Sequence, residues 1–146
     1  MSYKFGSRSE TNLRTAHADL QLIMSTAIQS SMVDFGVSEG HRTLERQKKL
    51  FDEGKSRIDG ISKKGKHNHN PSLAVDIYAY VEGYKQLAFD KVHLAYLGGH
   101  IMLVAKLLYE TGRVDHKLRW GGNWDGDGVL LRDQKLWDMP HFELTT

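Results

Sequence analysis

A chain of 146 residues, 40% hydrophobic and 26% charged, has the size and balance of one globular domain with a core of its own. It contains no cysteine, which excludes disulfides and thiolate metal sites, so any metal must rest on His, Asp or Glu. The formal charge of +2 is too small to indicate a nucleic-acid partner, although the mildly basic balance suits an anionic polymer.

In chain order, Met1-Ser2-Tyr3-Lys4-Phe5-Gly6 lacks the apolar stretch of a signal peptide, so the chain is expected to be made and kept in a cytoplasm. Ser9 and Asn12 precede Leu13, Ala16, Leu20, Ile23, Met24, Ala27 and Ile28, spaced for one face of a helix. Asp34-Phe35-Gly36-Val37-Ser38 reads as a short strand leading to Glu39-Gly40-His41-Arg42-Thr43. Thr43 is placed to cap a second helix through Gln47, Leu50 and Phe51, which Gly54 stops.

Residues 55–72 are basic and polar, with Gly60, Gly65 and Pro71, and read as a long exposed loop, a feature more often functional than idle. Within it Lys63-Lys64-Gly65-Lys66 reads as solvated by default, with attraction for an anionic polymer as the alternative. Leu73 to Tyr80 is the best strand, with Leu73, Val75, Ile77 and Ala79 on one face and Ala74, Asp76 and Tyr78 on the other. Asp90 to Glu110 predicts the longest helix, turning Leu94, Leu97, Ile101, Val104, Ala105 and Leu108 inward and ending before Gly112. No apolar run in it reaches membrane length, since Ile101 to Leu108 is short and holds Lys106.

Leu118 to Gly122 is another short strand. Asn123 to Gly128, "NWDGDG", alternates Asp125 and Asp127 like a calcium loop but lacks the later ligands, so a tight turn is the reading. Trp120 and Trp124 either line a groove or pack. The final strand lies in "DMPHFEL": Pro140 cannot donate to a ladder, so Asp138 is expected just before the strand and His141 at its start. Phe142 and Leu144 then face the core, and His141 shares the other face with Glu143. Helices mixed with separated short strands predict an α+β domain spanning residues 1–146.

Asp76 is costly in an apolar strand unless paired or bound to a cation. His67 and His69 lie just upstream of it. One of them with Asp76 and His141 makes a three-ligand His/Asp/His set that leaves a tetrahedral position open, as catalytic zinc requires. Asp138 would then be the base that takes a proton from the attacking water. Glu143 either holds a ligand imidazole by its second nitrogen or is a solvated strand residue.

The ordered segments "EGHRTLERQKKLF", "KHNHNPSLAVDIYAY", "LRWGGNWDGDG" and "DMPHFEL" resemble the zinc D-alanyl-D-alanine carboxypeptidase and L-alanyl-D-glutamate peptidase family, and within it the small phage endolysins. The resemblance covers roughly residues 35–145. It implies a central antiparallel sheet flanked by helices, the Hedgehog/DD-peptidase-like arrangement. It implies Asp76 as a zinc ligand, with Ser72 where the family motif has glycine, and Asp138 and His141 as base and third ligand. Arg42, in Gly40-His41-Arg42-Thr43, matches an arginine implied to stabilise the developing oxyanion and to bind substrate, with a plain salt bridge to Glu39 or Glu45 as the alternative. The first ligand is His67 if the loop is two residues longer than usual, the favoured alignment, or His69 at the commonest spacing. Trp120 is the expected groove residue.

The resemblance thus implies a Zn2+ peptidase acting on a peptide-stem amide of bacterial peptidoglycan, L-alanyl-D-glutamate being the expected bond. A monomeric phage lysin follows, with no nucleic-acid partner and no membrane insertion. It would wait in the host cytoplasm until a separate membrane-permeabilising protein gives access to the wall. The alternatives are a D,D-carboxypeptidase on the same site and a non-catalytic wall-binding module.

Overall fold

A computed structural model describes residues 2–127 and 138–145. The described residues form four α-helices, α1 (Ser7–Arg14), α2 (Ala18–Ser30), α3 (Leu44–Asp52) and α4 (Lys91–Glu110). They also form four strands, β1 (Phe35–Glu39), β2 (Ala74–Ala79), β3 (Leu118–Gly121) and β4 (Asp138–Leu144). The strands make one antiparallel sheet in the order β1-β2-β4-β3. This is the α+β arrangement expected.

Alternation builds the core. Val75 and Ile77 of β2 and Phe142 and Leu144 of β4 are fully buried, and α2 and α4 cover them with Leu20, Ile23, Met24, Leu94, Leu97 and Ile101. At 20 residues and with its apolar composition, α4 is long enough to cross a bilayer, contrary to the reading from the Ile101–Leu108 run. Leu94, Leu97, Ile101, Ala105 and Leu108 line its packed side in the core, while Val92, Tyr96, Leu103 and Leu107 stand exposed on the other. Gly98 allows the close fit, since a Cβ there would meet the Trp120 indole at 2.3 Å.

Two boundaries differ from expectation. The single predicted helix over Leu13–Ile28 breaks between α1 and α2, because the chain pairs there with Ser72. The His17 amide donates to the Ser72 carbonyl at 2.8 Å, and the Ser72 amide to the Thr15 carbonyl at 2.9 Å. His17 then caps α2, its Nδ1 accepting from the Asp19 amide. Asp138, expected outside the last strand, is its first residue. The ladder skips around Pro140: β2 pairing reaches only His141, and the β3 register jumps from Trp120↔Phe142 to Gly121↔Asp138. A proline in a central strand is tolerated at such an irregularity.

Candidate metal centre

Three segments converge at one end of the sheet. Asp76 and His141 are direct cross-strand partners in β2 and β4, so their side chains leave the sheet on the same side. The 3-10 turn Lys66–Asn68 carries His67 over them. This turn is laced to the segment after β1: the Arg42 amide donates to the His67 carbonyl at 2.8 Å, and Asn68 Nδ2 to the Arg42 carbonyl at 2.9 Å.

His67, Asp76 and His141 offer ligand atoms that all lie within 4.8 Å of one another. His67 Nε2 and His141 Nδ1 each stand 3.2 Å from Asp76 Oδ1. The outer nitrogens are already committed. His67 Nδ1 is 2.7 Å from the Gly40 carbonyl, which can only accept, so that nitrogen carries the proton. His141 Nε2 is 2.9 Å from Glu143 Oε1, which fixes the other ring in the same way. Two imidazole lone pairs therefore point at one carboxylate oxygen, and only protons or a cation between them makes that arrangement favourable. The donor set of two nitrogens and one oxygen, with outer partners that orient both rings, fits a divalent metal of the zinc type.

The electrostatics agree. Burial alone would raise the Asp76 carboxyl, but His141 and His67 outweigh it and hold it far below the usual carboxylate range. Burial opposes charge on His141, yet Asp76 and Glu143 overcome it and raise the imidazole to about 9 in the protein alone. A bound cation would take the place of that proton. Asp138 moves the other way, since burial and then the Asp76 charge push its carboxyl up. Its side chain is half exposed at the rim, with Oδ2 4.0 Å from His141 Nδ1.

Arg42 lies behind Asp76. Its Nη2 is 3.5 Å from Asp76 Oδ2, its Nη1 donates to Gln47 Oε1 at 3.0 Å, and its Nε donates to Glu39. His69 is exposed on the far end of the turn and outside the cluster. Trp120 is corrected from groove to core: it is 3% exposed and its indole N–H is spent on the Met139 carbonyl at 2.7 Å. Trp124 instead borders the cleft, with its ring 5.5 Å from His141 and Arg119 stacked over it. The "NWDGDG" stretch begins as a turn, Gly126 donating to the Asn123 carbonyl with a φ of 69°, and Gly128 lies outside the described residues.

Sequence reasoning missed what orients this site. Ser72, fully buried, has its hydroxyl 2.6 Å from the Ala74 carbonyl and 3.2 Å from the Gly40 carbonyl, so the Gly40 oxygen lies within reach of both Ser72 and His67. Gln47 was read only as part of a helix face; a lone amide on a face with Leu50 and Phe51 was the available signal.

A second group, His17, Asp19 and His116, also has its ligand atoms within 4.8 Å of one another. Several of its polar atoms are already engaged in hydrogen bonds. Asp19 Oδ2 accepts from the Asp115 and His116 amides and from His116 Nδ1 at 2.8–3.1 Å, and His17 Nδ1 is occupied as the α2 cap. A neutral His17 accepting at Nδ1 is protonated at Nε2, so a metal there would cost the cap. This group is a clasp between α2 and the segment before β3.

The sequence profile of a family described as phage L-alanyl-D-glutamate peptidase matches residues 1–145. The L-alanyl-D-glutamate peptidase of Escherichia phage T5 is 28% identical over 147 residues, covering 99% of each chain. Among solved structures, the Serratia marcescens L-Ala D-Glu endopeptidase ChiX superposes with a TM-score of 0.71 at 29% identity, covering 97% of this chain and 90% of that one.

Proposed function

The chain belongs to the phage L-alanyl-D-glutamate peptidase family, and from that premise we propose that it hydrolyses the L-alanyl-D-glutamate amide in the peptide stem of bacterial peptidoglycan, using zinc held by His67, Asp76 and His141. The observation that carries the metal assignment is the convergence of two oriented imidazole nitrogens on one Asp76 oxygen. Bound there, zinc supplies a Lewis acid for the scissile carbonyl and acidifies the attacking water.

The chain's own residues supply the rest. Gly40 and Glu143 hold the two rings in the tautomers that leave the inner nitrogens unprotonated. Asp138, raised in pKa and at the rim, takes the proton from the attacking water and returns it to the leaving amine. Arg42 has five N–H donors and spends three, so two remain for the carbonyl oxygen as negative charge develops. Trp124 walls the substrate side of His141. The protein acts as a monomeric phage lysin, waiting in the host cytoplasm until a separate permeabilising protein opens the way to the wall.

The test is mass spectrometry of fragments released from purified peptidoglycan. New glutamate N-termini on the stems are expected; release of free D-alanine without them would make it a carboxypeptidase instead. Asp138→Asn, compared on the same wall, should keep zinc yet lose about 100-fold or more in turnover, the scale of general-base catalysis. An Asp138→Asn protein that lacks zinc, or that cleaves at the wild-type rate, would overturn the role given to this carboxylate.

A further inference from the structure

We propose that Gln47 is a positioning residue that sets the Arg42 guanidinium; the proposal deepens the role given above to Arg42 and rests on it. α3 is an unusual helix in what it buries. Its one buried side chain is Gln47, 2% exposed, while Leu44 and Phe51 stand 45% and 43% exposed. Burying an amide in preference to leucine and phenylalanine is unfavourable unless the amide's hydrogen bonds are made.

They are made, and in two directions. Oε1 accepts from Arg42 Nη1 at 3.0 Å. Nε2 donates to Ser56 Oγ at 2.8 Å and to the Ile58 carbonyl at 2.7 Å. The turn closes on this side chain through Gly60, whose φ is +78° and where an added Cβ would come within 3.1 Å of Gln47 Cγ. On its other sides the guanidinium meets Glu39 through Nε and Asp76 Oδ2 through Nη2. Glu39 also draws Arg46, so without Gln47 two carboxylates alone would set the guanidinium. The Gln47 oxygen fixes the plane in which the remaining Arg42 donors point. Misplacing a catalytic donor by about 1 Å can cost on the order of 100-fold in rate.

The two directions are separable by substitution. Gln47→Glu keeps the acceptor for Arg42 and deletes both donors to the turn, whereas Gln47→Met deletes everything at the same length. The readouts, on the full zinc-loaded chain, are the Arg42 Nε–H resonance in a nitrogen–proton correlation spectrum and the separate kcat and KM for wall fragments. Wild type and Gln47→Glu should share a sharp Arg42 signal, with kcat within about threefold. Gln47→Met should broaden or shift the signal and lower kcat about tenfold or more, with KM little changed.

If Gln47 only clamps the turn, both variants suffer alike, and that result overturns the proposal, as does an unchanged Arg42 signal in Gln47→Met. Ser56→Ala, which loosens only the turn and is safe for folding, should leave the Arg42 signal and kcat unchanged; a loss there would also overturn it. A disturbed Arg42 signal with kcat intact would uphold the positioning by Gln47 and remove the catalytic role of Arg42.

Discussion

Glu143 meets two demands with one side chain, accepting the Nε2 proton of His141 at 2.9 Å and pairing with Arg119 at 2.8 Å. Burial would raise its carboxyl, but His141 and then Arg119 outweigh this and keep it ionised, which makes it a strong acceptor for the ring. Glu143→Gln keeps the shape and loses the charge. It should weaken zinc binding by about 10–100-fold, as removal of such a partner does elsewhere, and competition with a chelator would measure it. Arg119→Ala, whose side chain is 46% exposed, should leave zinc affinity within a few-fold. At the same scale, His67→Ala should abolish zinc binding while His69→Ala retains it, read by elemental analysis; the reverse would restore the commoner spacing. The sequence could not choose between these histidines, because the choice rests on a partner 27 residues away. That partner is the Gly40 carbonyl, which His67 Nδ1 meets at 2.7 Å. His141 and Asp76 were legible for the opposite reason, since strand alternation alone sets both on one face.

Among the elements, α3, β2 and α4 follow from local signals. Thr43 Oγ1 accepts from the Arg46 amide and Asp90 Oδ2 from the His93 amide, so each cap starts its helix where the sequence puts it. The break between α1 and α2 was not legible, because the apolar spacing runs through it and the competing partner is Ser72, far along the chain. The Asp19 clasp holds the far side of that break to the segment before β3. Burial raises the Asp19 carboxyl, but His116 and the backbone N–H of Asp115 outweigh it, leaving the group below its ordinary 3.8. A carboxyl depressed in the folded state contributes stability that is present above the unfolded value near 3.8 and is lost as pH falls through the folded one. Asp19→Asn should therefore cost about 2 kcal/mol at pH 7, the scale of charged hydrogen bonds. In a chain of this size that is roughly 4–8 °C in Tm. The gap to wild type should shrink toward pH 2, and a gap constant from pH 7 to 2 would mean that Asp19 holds the clasp by shape alone.

Over the whole molecule, the His67, Asp76 and His141 cluster sits at the edge of a core built from other residues. Phe142 beside His141, and Val75 and Ile77 flanking Asp76, are fully buried against α2 and α4 on the other face of the sheet. Those contacts persist whether or not a cation bridges His67, Asp76 and His141. Stripping zinc should thus leave the near-UV dichroism intact, in contrast with small domains that unfold when their metal leaves. What should change is the margin. A ligand at a thousandfold excess over its Kd adds about 4 kcal/mol to the folded state. For a chain of this size that is on the order of 10 °C in Tm. The change should come mainly at the 3-10 turn carrying His67, whose ring a bound cation would tie to Asp76 and His141. Hydrogen exchange should accordingly show faster exchange at residues 65–69 in the stripped protein and little change in β2 or α4. Loss of the near-UV signal on chelation would make zinc a structural cofactor, and an unchanged Tm would mean that His67, Asp76 and His141 do not hold the metal.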